Sequence, residues 1–259
     1  MNDRMVFLMY HEIEAAGRAL CEPEPGYVRY AVSEAALRHQ LAHLQAGGYS
    51  GISVGQALAD DPHEAAVVIT FDDGCETDAL IAAPLLAGFG FKATFYVIAG
   101  RVGLRGYLSP AQLRELSAAG FEIGCHSMTH SYLDELNDEQ LRVELAEAKD
   151  RLEQITHSPI AHFSCPGGRW SRSLARTAAE VGYQSIATSR VGTNSPATNR
   201  FNLARVAIMR DTDSAAFARI MRGEGLTARR ARSGLLNAAK AILGNTAYER
   251  VRARVLPQS

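Results

Sequence analysis

The chain has 259 residues, 47% of them hydrophobic and 21% charged, with a formal net charge of −1. That length and apolar content suffice for one large domain with a sizeable core, and the near-neutral balance excludes the basic footprint of a nucleic-acid binder. No apolar run approaches the ~18 residues of a membrane span, and the scattered Cys21, Cys75, Cys125 and Cys165 suggest reduced thiols and a cytoplasmic location.

The opening MNDRMVFLMYHEI carries an acid at Asp3 and lacks the long apolar core of a signal peptide. Strands are expected over 5–10, 66–71, 93–98, 121–125, 161–165, 184–188 and 205–209. Most of these runs are apolar on both faces and alternate with helical stretches, the pattern of parallel strands covered by helices. Between them one motif recurs: a helix closes on glycine, an aromatic follows, and a strand begins, as in LQAGGYSGISV, LLAGFGFKATFYVI, LSAAGFEIGCHS and AAEVGYQSIATS. Glycine just past a helix supplies the left-handed cap. Helix starts are marked by Ser109-Pro110 and by Asn137 with Gln140, a capping box. Seven strands in this alternation predict an α/β fold, a distorted or incomplete (β/α) barrel of about seven parallel strands, with a doubly wound open sheet as the competing architecture.

Polar residues gather at the strand ends. His11 follows the first strand, Asp72-Asp73 close the second in VVITFDDGCETD, His126 follows the fourth with His130 four residues on, and Pro166-Gly167-Gly168 follow the fifth. In (β/α) barrels the C-terminal rim carries the chemistry. Two adjacent buried carboxylates repel, and burying either costs several kcal/mol unless a cation sits between them. A His-x3-His pair alone is a weak signal, but joined to an acidic strand end it reads as a His, His, Asp metal site with room for water. Such a donor set suits zinc, one divalent ion per chain. The remaining carboxylate is then placed to act as a general base on the metal-activated water that serves as nucleophile.

TFDDG, HSMTH and the proline-glycine turn after the fifth strand together resemble the polysaccharide deacetylases of carbohydrate esterase family 4, with the NodB homology domain. The resemblance runs from about residue 5 to residue 209. It implies a distorted (β/α) barrel and hydrolysis of an N-acetyl (less often O-acetyl) group on a sugar. It makes Asp72 the catalytic base and Asp73, His126 and His130 the ligands of a divalent metal, usually zinc. Two positions depart from the family. Ser164 stands where an arginine often pairs with the base, so that role is either empty or filled by Arg169 or Arg205, with Arg205 preferred. The late histidine that supplies the general acid is absent, since no histidine follows His162. MYHEI resembles members with permuted motifs, in which an N-terminal Tyr-His takes that place. His11 is therefore expected to be the acid, as the one remaining histidine that ends a buried strand.

Pro166, Gly167, Trp170 and Arg205 are expected on the substrate side of the rim, Trp170 as a stacking surface for a sugar ring or as plain packing. His39 and His43 read as helix packing, His157 and His162 as loop residues without chemistry, and Cys125 as a small apolar filler. VGTNSPATNR reads as a substrate loop or an ordinary connection. The catalytic domain is expected over residues 1–225. Residues 226–259 carry a charge of +6 on a body of −7, with Leu235, Ala239 and Ile242, then Tyr248, Val251 and Val255, at helical spacing. This basic amphipathic tail is expected to touch an anionic membrane surface peripherally or to pack on the barrel. The expected partner is an N-acetylated carbohydrate: a polysaccharide, an oligosaccharide or a lipid-linked precursor. The rival readings are a non-catalytic carbohydrate-binding or scaffold protein and a deformylase of a lipid-linked aminosugar.

Overall fold

The computed structural model describes residues 4–59, 65–228, 230 and 231. The expected tail helix from Leu235 to Val255 lies outside them, as does His63. In chain order the strands are β1 Phe7–Tyr10, β2 Ile13–Glu14, β3 Val32–Ser33, β4 Ser50–Ile52, β5 Ala66–Phe71, β6 Thr94–Val97, β7 Glu122–Cys125, β8 His162–Ser164, β9 Ser185–Ala187 and β10 Val206–Ala207. The helices are α1 Pro25–Val28, α2 Glu34–Ala46, α3 Val54–Leu58, α4 Ala83–Gly88, α5 Pro110–Ala118, α6 Asp138–Thr156, α7 Arg172–Val181 and α8 Ser214–Met221. A π-helical turn, Asp78–Ala82, leads into α4. Among the described residues no helix is long and apolar enough to cross a membrane.

The main sheet runs β10-β1-β5-β6-β7-β8-β9, every pair parallel. The seven expected strands are all present. An eighth, β4, pairs with the first half of β5, Ser50 opposite Ala66, while β6 takes the second half. Leu203 bridges to Ala187 in β9 just before the chain enters β10 beside β1, so residues 203–207 link the two ends of the sheet. The result is a distorted α/β barrel. A separate two-stranded ribbon, β2-β3, flanks the first strand's exit.

Period-two alternation sorts the strands into two cores. Leu8, Tyr10, Val67, Ile69, Phe71, Phe95 and Phe163 join the cluster that includes Leu37, Leu41 and Leu44 of α2 and Leu141, Leu145 and Leu152 of α6. Phe7, Val68, Tyr96 and Ala187 form a second cluster, the barrel interior. Gly124 on β7 makes room there: a Cβ at this position would lie 2.4 Å from the Tyr96 ring. Above and below this apolar layer the interior is polar.

Local signals set the element ends. Ser109 and Asn137 form capping boxes with Gln112 and Gln140, and Pro110 occupies the first turn of α5. Gly48, Gly90, Gly120 and Gly182, one in each repeated motif, adopt φ between 71° and 94°, the left-handed turn that drops each helix into the next strand.

Candidate active site

The interior register of β5 places Thr70, and then Asp72 just past the strand end, on the barrel axis. Arg205, immediately before β10, is 1% exposed and reaches the same point. Its Nη1 donates to Asp72 Oδ1 at 2.7 Å and its Nη2 to Oδ2 at 2.7 Å, the bidentate geometry that gives an arginine–carboxylate pair direction as well as strength. The remaining donors are also satisfied. Nη2 reaches Ser164 Oγ at 2.8 Å, Nη1 reaches Thr70 Oγ1 at 3.1 Å, and Nε reaches the Thr188 carbonyl at 3.0 Å. Ser164 Oγ in turn donates to Asp72 Oδ2 at 3.2 Å. Burial opposes the Asp72 charge, but the Arg205 guanidinium, helped by His126, wins and holds the carboxyl well below the usual carboxylate range.

Asp73 lives in the opposite environment. It has φ 81° and Gly74 follows at φ 71°, so two left-handed residues turn the chain and aim the Asp73 carboxylate away from Arg205. A non-glycine residue there costs roughly 1–2 kcal/mol. The strain is repeated at Ser127 (φ 67°) and His130 (φ 66°) in the facing loop, which Ser127 Oγ secures by accepting from the His130 backbone N–H at 3.0 Å. Both turns bring donors together: Asp73 Oδ1 lies 3.5 Å from His126 Nε2 and 3.5 Å from His130 Nε2. No lysine or arginine pairs with Asp73 among the described residues. Burial and the adjacent Asp72 push its carboxyl up to about 6.

The two imidazoles fit a cation. His126 Nδ1 sits 2.9 Å from the Ser164 carbonyl oxygen. A carbonyl only accepts, so Nδ1 carries the proton and Nε2 turns its lone pair toward Asp73. Burial lowers His126 to about 3 and His130 to about 4, keeping both rings neutral. One oxygen and two ring nitrogens within 4.8 Å of one another form a borderline-hard donor set for a four-coordinate divalent ion with a position left open.

The other expected residues divide. His11 is partly open to solvent, its ring tilted against Tyr30 with centroids 4.6 Å apart, and its buried Nδ1 has no hydrogen-bond partner. Burial lowers its pKa while Asp73 and Asp72 pull it back up. Arg169 is engaged at the surface by Asp134 and Glu135, and Arg205 is the arginine that pairs with Asp72, buried behind it. Pro166 is buried in the turn after β8. Gly167 lies against the exposed Tyr132, where a Cβ would come within 2.9 Å of the ring. Trp170 is half-buried, and its Nε1 donates to the Phe201 carbonyl at 2.6 Å, so only its ring face remains for a ligand.

One reading changes and one open alternative closes. His162 is not a loop residue: it starts β8, buried, with Nε2 3.6 Å from Glu122 at the opposite end of the barrel. Asn194 pairs with Met5, below the start of β1, which carries the VGTNSPATNR stretch away from the rim. Thr70, Thr188 and the Ser164 hydroxyl, which complete the Arg205 cradle, look in sequence like ordinary strand residues. Cys125 is a buried filler, and His43 packs edge-on to Phe217 at 5.8 Å.

Residues 59–186 match the sequence profile of the polysaccharide deacetylases. Over 219 residues the chain is 29% identical to YxkH of Bacillus subtilis, named a candidate polysaccharide deacetylase, covering 83% of this chain and 75% of that protein. The chain matches the polysaccharide deacetylase family through its central residues 59–186. It is 35% identical over 125 residues to the peptidoglycan-N-acetylglucosamine deacetylase of Bacillus cereus, covering 48% of this chain and 56% of that one. Its fold resembles that of the Streptococcus pyogenes deacetylase PplD, solved in complex with acetate, with TM-score 0.75 and 24% identity over 84% of this chain and 98% of that one. The family and the deacetylase enzyme class expected from TFDDG and HSMTH therefore stand. The permuted role read into Tyr10-His11 rests on the sequence.

Proposed function

We propose that the chain is a metal-dependent hydrolase that removes an N-acetyl group from an aminosugar of a polysaccharide, an oligosaccharide or a lipid-linked glycan precursor. The observation that carries this is a pair of adjacent carboxylates in opposite surroundings. Asp72 is held ionised on a buried arginine, and Asp73 faces two neutral imidazoles. Asp73, His126 and His130 would hold the cation, of the zinc class. When bound, it supplies Lewis-acid polarisation of the acetyl carbonyl and acidifies the attacking water. Asp72 accepts the proton of that water at a carboxylate oxygen, and Arg205 fixes its orientation. His11, on the same rim, donates a proton to the departing amine nitrogen, because an amine is a poor leaving group without one. The ring face of Trp170 and the Pro166-Gly167 turn border the sugar side. The substrate in the Bacillus cereus relative's name favours a glycan containing N-acetylglucosamine. The four free cysteines fit a reducing, cytoplasmic setting.

The test is mass spectrometry of products from the zinc-loaded protein on a panel of N-acetylated oligosaccharides, nucleotide sugars and lipid-linked sugars, with N-formylated counterparts included. Loss of one acetyl group from at least one class is expected, and Asp72→Asn should abolish it. No deacylation of any substrate would favour the non-catalytic reading. Release of formate alone would favour the deformylase.

A further inference from the structure

A second group of metal-binding side chains converges outside the Asp73 centre. Glu12 directly follows His11, Cys75 directly follows Gly74, and Cys21 lies between β2 and α1. One ligand atom from each lies within 4.8 Å of the other two. Glu12 is 3% exposed and Cys75 1%, while Cys21 is half-buried, and both thiols are free. Tyr27 Oη bridges the group, 3.0 Å from Glu12 Oε2 and 3.1 Å from Cys75 Sγ. Cys21 Sγ is held at 3.0 Å from the Gly106 carbonyl, and its backbone N–H donates to Glu12 Oε2 at 2.9 Å.

A neutral hydrogen-bond network would account for these residues but not for Asp78. This carboxyl opens the π-helical turn three residues after Cys75. It is fully buried, neither oxygen has a partner, and it lies within electrostatic reach of Glu12, Cys21 and Cys75. No lysine or arginine pairs with Glu12 or Asp78 among the described residues. Two buried carboxyls without a countercharge are costly unless neutralised.

We propose that Glu12, Cys21 and Cys75 form a second cation site for a zinc-class divalent ion, with the buried Asp78 carboxylate as a supporting negative charge beside it. Two sulfur donors select a borderline or soft metal over calcium or magnesium. Around tetrahedral zinc, bonds of about 2.3 Å to sulfur and about 2.0–2.2 Å to oxygen set ligand atoms roughly 3.5–3.8 Å apart. The group therefore needs a contraction of at most about an ångström. Binding releases the thiol protons to solvent. The ion would clamp the segment carrying His11-Glu12 to the loop carrying Asp73-Gly74-Cys75, and tie the connection bearing Cys21 over both.

Cobalt(II) separates the two centres, because the Asp73 centre has no sulfur ligand. The metal-free full chain is titrated with cobalt(II), and thiolate-to-cobalt charge-transfer absorption is recorded. The band should appear, saturate by two equivalents in the wild type and at one equivalent in His126→Ala, where only this centre is left, and vanish in Cys21→Ser, a change on a half-exposed segment. Asp78→Asn should weaken cobalt binding at this site about 10–100-fold, the usual loss for a supporting residue. No charge-transfer band in the wild-type chain, or an undiminished band in Cys21→Ser, would overturn the site. So would a Cys21–Cys75 disulfide in the freshly isolated metal-free protein. None of these readouts requires turnover, so the result is independent of the deacetylase reading.

Discussion

Asp72 and Asp73 are neighbours in sequence with opposite tasks, and backbone geometry separates them. Asp72 keeps the β5 register and meets Arg205, while Asp73 turns through a left-handed residue toward His126 and His130. The Asp72–Arg205 pair is fully buried, so removing one partner leaves an uncompensated charge. Arg205→Met should cost about 3–5 kcal/mol in urea unfolding; a loss below about 1 kcal/mol would mean the pair is dispensable. Its pH profile should move as well. With the guanidinium present, Asp72 is ionised well below the ordinary carboxylate range, so the zinc-saturated wild type should show no acid limb from this group above about pH 4. Losing the cation removes the main charge that opposes burial, raises the Asp72 pKa and shifts the acid limb upward; an unchanged limb would separate Asp72 from the rate. His11→Ala should lose amide hydrolysis by roughly 10²–10⁴-fold while an activated acetyl ester, whose leaving group needs no proton, suffers far less. Equal losses on both substrates would remove His11 from the donor role. Asp72, Asp73, His126 and His130 were legible because acids and histidines at buried strand ends have few structural uses. Glu12 and Asp78 were not, since single acids in polar stretches carry no spacing signal.

At the scale of elements, the glycine-aromatic lead-in marks β4 as well as β6, β7 and β9, but β4 has no apolar run to give it bounds. The β4 strand, Ser50–Ile52, is three residues long with a glycine at its centre. It exists because it fills the first half of an edge on β5 that β6 leaves open, a tertiary reason that no local run displays. Gly51 and Gly124 occupy crowded positions, whereas Gly88, in α4, has nothing within 4 Å of its would-be Cβ. Gly124→Ala should therefore destabilise by about 1–3 kcal/mol, because the Tyr96 ring inside the barrel must move. Gly88→Ala should stabilise by about 0.5–1 kcal/mol through helix propensity. Thermal unfolding of the two variants checks the pair, and shifts of the same sign would contradict this account of the barrel interior.

Across the whole molecule, parallel strands bring residues 72, 126 and 164 to one rim, and the Arg205 side chain reaches it from just before β10, which makes the site a consequence of topology. The barrel was legible from alternating buried strands and helices. The last strand was legible over 205–209, which contains β10, but the Leu203–Ala187 bridge that ties its lead-in to β9 was not, because a single bridge is defined only by its partner. The central claim is the division of labour between adjacent aspartates at that rim. Zinc content and acetyl release, measured together on zinc-loaded wild type, His126→Ala and Asp72→Asn, test it most directly. His126→Ala should lose the ion of the Asp73 centre, one fewer per chain than wild type, together with turnover. Asp72→Asn should keep the wild-type zinc content and lose turnover by about 10²–10⁴-fold, as expected for a missing base. Full zinc content in His126→Ala, or equal zinc loss in both variants, would contradict the account.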